Sequence, residues 1–289
     1  MNLFQAFLLG VLQGATEFLP VSSSGHLVLV PWLLNWSASS LAFDVVVHWG
    51  TAVAVIAYFW RDWVTLIRET WFLSLRLSKN RVSEGFTKET GLFGKTPVSA
   101  DVRLAFFIVL GTIPAAVLGY LLEDFFEAMF ARPVAAACFL IVTAAILAFS
   151  ERVGSRECEL DTLNWLDALI IGLAQALAIL PGISRSGSTI AAGLTRGLKR
   201  ESAARFSFLL ATPIILGAGL LKVMDLAQAG NLAAQAPVLV VGFVAAGLVG
   251  YACIHFLLRY VQRRPLYLFS IYCTIAGVIC LFIALTREG

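Results

Sequence analysis

Glu17-Phe18-Leu19-Pro20-Val21-Ser22-Ser23-Ser24-Gly25-His26 stands inside one long apolar stretch, and Leu180-Pro181-Gly182-Ile183-Ser184-Arg185-Ser186-Gly187-Ser188-Thr189 stands inside another. A carboxylate, an imidazole, a guanidinium and rows of hydroxyls are costly in lipid, so their presence there points to function. Proline and glycine also break a helix. Broken backbone at membrane depth persists only where it is buried in protein or lines a cavity. The two segments are therefore read as re-entrant loops that build one polar pocket.

The rest of the chain supplies the membrane. Its 289 residues are 59% hydrophobic and 13% charged, whereas soluble domains carry about 25% charged residues. Mean hydropathy is +0.85. The net charge of +3 is too small to suggest a nucleic-acid partner. Five cysteines (Cys138, Cys158, Cys253, Cys273, Cys280) show no metal-type spacing, and four lie in apolar segments where cysteine is a small hydrophobe. The N-terminus lacks the basic region of a signal peptide and is read as retained.

A span needs about 20 mostly apolar residues. Six stretches qualify, at 41–60, 102–122, 132–150, 203–225, 237–258 and 266–286, while 3–34 and 163–198 are apolar but interrupted by the motifs. The expected fold is an all-α polytopic membrane protein with six transmembrane helices and two re-entrant helix hairpins. It forms a single membrane domain with repeats over 1–150 and 151–289. A shift of about 160 residues lays Gly10 on Gly172, Gln13 on Gln175, Ser22 on Ser184, Ser24 on Ser186 and Gly25 on Gly187. Three spans per repeat invert the second copy, and inverted repeats bring their broken helices together near the midplane.

The loops orient the chain. The segment 61–101 carries Arg61, Arg68, Arg76, Lys79, Arg81, Lys88 and Lys95, so it is cytoplasmic by the positive-inside rule. Basic turns at Arg196–Arg205 and Arg259–Arg264 fall on the same side, and acidic 123–131 on the other. Both termini are then outside, and the first hairpin enters from outside. The Trp- and Arg-rich stretch 61–81 reads as an amphipathic surface segment.

Gln13 and Glu17 are four apart and share a helix face. Pro20 ends that helix, Ser22, Ser23 and Ser24 supply hydroxyls, and His26 opens the next helix. The second motif repeats the design with Arg185, whose planar fork suits phosphate oxygens. Helix N-termini flanked by serines suit anions. Acid, imidazole, guanidinium and hydroxyls together meet the needs of phosphoryl transfer: nucleophile, charge clamp and proton shuttle. Outside the motifs the blander readings prevail. His48 reads as a buried hydrogen-bonded residue, His255 as structural, Asp44 as a helix cap rather than a metal ligand, and Lys222 with Asp225 as a solvated pair.

The wording of Gln13-Gly14-Ala15-Thr16-Glu17-Phe18-Leu19-Pro20-Val21-Ser22-Ser23-Ser24-Gly25-His26 resembles the first signature of the bacterial undecaprenyl-diphosphate phosphatases, the bacitracin-resistance family. Pro181-Gly182-Ile183-Ser184-Arg185-Ser186-Gly187-Ser188-Thr189 resembles the second, and Phe43–Thr51 with Phe59-Trp60-Arg61 also fits. The resemblance implies an inner-membrane enzyme that removes the terminal phosphate of a C55 polyprenyl diphosphate, recycling the lipid carrier of peptidoglycan and conferring bacitracin resistance. It further implies a divalent cation (Mg2+ or Ca2+), a homodimer, and a site open to the periplasmic face.

Glu17, His26 and Arg185 match the family's charged functional positions, and Ser22, Ser23, Ser184, Ser186 and Thr189 its hydroxyl positions. The expected roles follow. Glu17, Ser23, His26 and Arg185 are catalytic; Gln13, Ser22, Ser24, Ser184, Ser186, Gly187 and Thr189 bind the diphosphate; Glu17 also serves as a cation ligand or base. Ser23 with His26 as its partner is the first choice of nucleophile, His26 itself the second, activated water the third. The rival reading is a transporter or flippase of an anionic lipid phosphate, since inverted repeats with paired broken helices are transporter architecture.

Overall fold

The computed structural model describes residues 1–83, 99–228 and 232–288, and the described residues form helices and no β-strand. In chain order the helices are α1 (Leu3–Phe18), α2 (Ser23–Leu33), α3 (Leu41–Tyr58), α4 (Trp60–Ser83), α5 (Ala100–Leu121), α6 (Glu123–Phe130), α7 (Pro133–Val153), α8 (Trp165–Leu177), α9 (Arg185–Thr195), α10 (Arg200–Gln228), α11 (Leu232–Arg263) and α12 (Tyr267–Glu288). Six of them, α3, α5, α7, α10, α11 and α12, are long and apolar enough to cross a membrane. They coincide with the six expected spans. The protein is an all-α, multi-pass membrane protein.

The interrupted stretches become helix–loop–helix pairs, α1–α2 and α8–α9. With 16 residues, α1 is about 24 Å long at 1.5 Å per residue, short of the roughly 30 Å hydrocarbon core; α2, α8 and α9 are shorter still. Their starts are written in the sequence. Asn2 caps α1 in a capping box with Gln5, and Asn164 caps α8 in a capping box with Asp167. Arg196 Nε lies 2.6 Å from Asp167 Oδ1, which sets the end of α9 beside the start of α8.

Each short helix packs on a long helix from the other half of the chain: α1 on α11, and α8 on α5. Glycine makes this possible. A Cβ on Gly10 would lie 2.6 Å from the Gly242 carbonyl oxygen, and one on Gly14 2.6 Å from that of Ala246. A Cβ on Gly172 would lie 2.4 Å from the Gly111 carbonyl oxygen. Small residues four apart let helix backbones approach in lipid, where association relies on packing. The α3–α10 and α7–α12 pairs complete the bundle, and the two loops are enclosed between these pairs.

One buried carboxylate fastens the opposite end of the molecule. Glu151 on α7 accepts from Arg200 Nε at 2.8 Å, from Arg200 Nη2 at 2.6 Å and from the Leu266 backbone N–H at 2.9 Å, and Arg156 flanks it. It thereby joins α7, α10 and the start of α12. Nearby, the Lys199 ammonium and the Ser202 hydroxyl hold the exposed Glu159 carboxyl below the usual carboxylate range.

One expectation is overturned. Ser40 caps α3, accepting from Phe43 N, while Asp44 sits inside the first turn and accepts from Ser39 Oγ at 2.6 Å. The helix starts at Leu41, which puts Asp44 too far along to cap it. Lys222 bonds Glu123 and Glu127 on α6; the Asp225 side chain, the other half of the expected pair, lies outside the described residues, as does the 84–98 stretch with Lys88 and Lys95. The amphipathic segment at 61–81 is helical within α4, with Arg61 stacked 5.4 Å from the Trp60 ring centroid.

Substituting the contact glycines tests this packing. Gly172→Ala is expected to lower stability by about 1–3 kcal/mol through overpacking against α5, read as an earlier melting midpoint in detergent. Gly217→Ala, where an added Cβ meets nothing within 4 Å, is expected to be neutral or stabilising by about 0.5–1 kcal/mol.

Candidate active site

The two loops interlock. A Cβ on Gly25 would lie 2.9 Å from Gly182 Cα, and one on Gly187 3.4 Å from Pro20 Cβ. Ser186 Oγ donates to the Leu19 carbonyl at 3.1 Å. Gly182 adopts φ +100°, a left-handed conformation suited to glycine. Thr143 of α7 braces the second loop, donating to the Gly182 carbonyl and accepting from the Ser184 N–H, both at 2.9 Å.

The N-termini of α2 and α9 share one hydrogen-bond frame. Ser22 caps α2, its hydroxyl accepting from Gly25 N at 3.2 Å and standing 3.3 Å from Ser24 Oγ. Ser184 caps α9, accepting from Gly187 N at 3.0 Å and standing 3.2 Å from Ser186 Oγ. Their backbones differ. Ser184 is extended, whereas Ser22 has φ +72°. A non-glycine residue there carries strain of about 1–3 kcal/mol. The strained turn aims the Ser22 carbonyl at His26, whose Nδ1 lies 2.7 Å away.

Glu17 is the centre of the junction. It is buried at the end of α1 and takes three donors: Gln13 Nε2 at 2.9 Å, Ser23 Oγ, and Arg185 Nη2 at 2.7 Å. The Arg185 contact joins the two motifs across 168 residues of sequence. His48 Nε2 of α3 stands 3.8 Å from the same carboxylate, its Nδ1 donating to the Asp44 carbonyl at 2.7 Å. Ser23, Ser24 and Arg185 are half-buried, while Glu17, Gln13, Ser22, Ser184 and Ser186 are buried. The partly open surface of the junction thus combines hydroxyls with a guanidinium. Arg185 Nη1 is a buried donor without a protein partner.

This arrangement redistributes the expected roles. Ser23 is paired with Glu17 and not with His26. Ser23 is the first residue of α2, so its side chain reaches back over the Pro20 turn to α1. His26, one turn later, points to its own cap and to α12, where Tyr272 Oη lies 2.7 Å from Nε2. Thr189 donates to the Arg185 carbonyl at 2.7 Å and meets Ser207 Oγ at 2.6 Å, so its hydroxyl braces the helix that carries Arg185. Gly187 serves as a close-approach position. Thr143, Ser207 and Tyr272 were missed by the sequence reading; each is an isolated hydroxyl in an apolar span, a weak signal outside a motif.

The donor set does not make a metal cage. Among the described residues no group of three His, Cys, Asp or Glu could hold an ion, and both Glu17 oxygens are already engaged.

Residues 6–279 match the family of the bacitracin resistance protein BacA. The chain belongs to that family. A protein named undecaprenyl-diphosphatase from Methanosphaera stadtmanae is 43% identical over 284 residues, covering 98% of this chain and 99% of the relative. Proteins of the same name from Geobacter metallireducens and Desulforudis audaxviator are 44% and 42% identical, with 98% and 99% of this chain covered and 99% and 100% of theirs. The family spans both loops, so its members' shared activity bears on the junction just described.

Removing one member of a buried ion pair strands the other. Arg185→Ala is expected to destabilise the protein by about 3–5 kcal/mol. Glu17→Gln combined with Arg185→Gln is expected to recover most of the lost melting temperature in detergent, since both buried charges are gone.

Proposed function

We infer that this protein hydrolyses undecaprenyl diphosphate to undecaprenyl phosphate and inorganic phosphate. The family and the near-full-length relatives support the activity. The Glu17–Ser23–Arg185 contact is the observation that ties it to this junction. An acceptor, a hydroxyl and a cation lie within direct contact, and both loops present helix N-termini suited to a phosphate. The apolar helices around them suit a prenyl tail in the bilayer. Release of the monophosphate carrier serves envelope polymer synthesis and resistance to bacitracin.

The proposed mechanism runs as follows. The free Arg185 nitrogen and the Ser24 hydroxyl hold the terminal phosphate. Ser23 Oγ attacks its phosphorus while its proton passes to Glu17, and the bond to the bridging oxygen breaks. Undecaprenyl phosphate leaves with the electron pair. Water then hydrolyses the phosphoserine, regenerating Ser23 and releasing inorganic phosphate. Ser23 is preferred to His26 as nucleophile because its hydroxyl already donates to a carboxylate, whereas both imidazole nitrogens are engaged elsewhere.

The divalent cation implied by the resemblance belongs to this proposal only as an ion carried in by the diphosphate oxygens, because no group of three His, Cys, Asp or Glu among the described residues forms a cage for it. The pairing of α1–α2 and α8–α9 as re-entrant hairpins in an inverted repeat is likewise proposed. It is supported by the shared capping frame and by the exchange-related packing of α1 on α11 and α8 on α5. Residence in the inner membrane, an opening to the periplasmic face and a homodimer rest on the family relation, the opening also on the charge pattern of the loops.

The test is phosphate release from C55 prenyl diphosphate by purified protein in detergent, with and without Mg2+ or Ca2+. Wild type is expected to release phosphate, and Glu17→Ala and Ser23→Ala to lose at least about 100-fold in kcat. Radiolabel from the terminal phosphate is expected on wild-type protein quenched in acid and to be absent from Ser23→Ala. Binding of either ion to substrate-free protein at micromolar levels speaks against the carried-in cation. Substrate flux across sealed vesicles without phosphate release from any preparation makes this a transporter instead.

A further inference from the structure

The partners of His26 determine where its protons sit. Nδ1 lies 2.7 Å from the Ser22 carbonyl oxygen, and a carbonyl only accepts, so Nδ1 carries hydrogen. In the neutral ring the lone pair is therefore on Nε2. The Tyr272 hydroxyl, 2.7 Å away, then donates to it. The two rings are nearly parallel, with centroids 5.7 Å apart and planes 10° from each other.

Tyr272 comes from α12, 246 residues further along the chain. Its ring is 45% exposed on the outer side of the bundle, yet its hydroxyl turns inward to the one open imidazole nitrogen. Neighbouring contacts hold α12 in register with the first loop. Cys273 Sγ lies 3.8 Å from the Pro20 carbonyl. Near the far end of α12, Arg287 donates to the Trp32 and Leu33 carbonyls at 2.8 and 3.0 Å. The tyrosine is thus carried on a helix tied to the first loop through Cys273 and to the end of α2 through Arg287.

We propose that Tyr272 is a positioning residue of this active site. Its hydroxyl fixes His26 in the Nδ1–H tautomer and presents Nε2 as the sole nitrogen at which a proton enters or leaves the ring. A hydroxyl both donates and accepts. It therefore holds neutral imidazole by donating to Nε2, and imidazolium by accepting from Nε2–H. The ring is thus held in place in either charge state. Tyr272 does not contact Glu17 or Arg185 in any hydrogen bond, so it acts on the reaction through His26. The inference rests on the phosphatase reading for its kinetic consequence, and on geometry alone for the tautomer.

Two experiments separate these. Tyr272→Phe keeps the ring and removes the hydroxyl. In phosphate release from C55 prenyl diphosphate it is expected to lower kcat about 10-fold with KM within about twofold of wild type. Placed on His26→Gln, the same substitution is expected to cost less than about twofold more. A wild-type kcat for Tyr272→Phe, or an equal loss in both backgrounds, overturns the positioning role.

The second readout needs no activity. The chain has three histidines, so the ring 15N signals of the detergent-solubilised protein are assigned by loss of those of His26 in His26→Gln. Wild type is expected to show His26 as the Nδ1–H tautomer, and Tyr272→Phe to show shifted Nε2 with mixed tautomers. Unchanged His26 signals in the phenylalanine variant overturn the proposal even if the enzyme is active. Inactive wild type with the expected signals faults the phosphatase reading and leaves the tautomer assignment standing.

Discussion

The structure turns on a buried ion pair, Glu17 with Arg185, at 2.7 Å. Each charge alone in an apolar bundle is prohibitive, so neither loop is viable without the other. The pair also explains why the rest of the site is polar. Gln13 and Ser23 both donate to the carboxylate, completing the hydrogen bonds that a buried charge requires. The short helix α1 must then end, and α9 begin, where the two side chains meet. Their length is set by that meeting point, and the glycine contacts of α1 with α11 and α8 with α5 let them reach it.

The ion pair leaves a specific opening. Arg185 uses Nη2 on Glu17, while Nη1 is buried without a protein partner. An orphaned guanidinium nitrogen is costly in the resting protein. In the proposed mechanism a phosphate oxygen relieves it, so the anion is captured without first breaking the bond that holds the two loops together. Ser23, on the other side of Glu17, is then placed close to the captured group. In that proposal the cation attracts the substrate, and the same carboxylate that neutralises the cation accepts the hydroxyl's proton.

Much of this was legible in the sequence because the polar residues stand out against apolar runs. The six spans, the two breaks and the capping residues Asn2, Asn164, Ser22 and Ser184 follow from composition and local chemistry. The pairing of side chains did not. Ser23 and His26 are three apart on one helix, and periodicity places them on neighbouring positions of a face. The first-turn location of Ser23 and the strained φ of Ser22 send them to different partners. Tyr272 reaches His26 only because α2 and α12 both pack on α7, a tertiary fact with no local signature. The bonds of Lys222 to Glu123 and Glu127 are hidden similarly, since α6 brings up two glutamates from far along the sequence.

The two loops show what an internal correspondence keeps and what it gives up. Ser22 and Ser184, Gly25 and Gly187, and the helix ends Leu33 and Thr195 all stand 162 residues apart. The capping hydrogen bonds are thus common to both, although the backbone at Ser22 and Ser184 differs. The chemistry is not. At the same spacing Glu17 faces Ile179, Ser23 faces Arg185 and His26 faces Ser188. A symmetric pair of acids would repel, and a symmetric pair of arginines would lack a counter-charge. One acid in the first loop and one cation in the second is the arrangement in which the two frames attract each other. The division of labour in the proposed mechanism, with nucleophile and base on one loop and phosphate clamp on the other, follows from the electrostatics that hold the loops together.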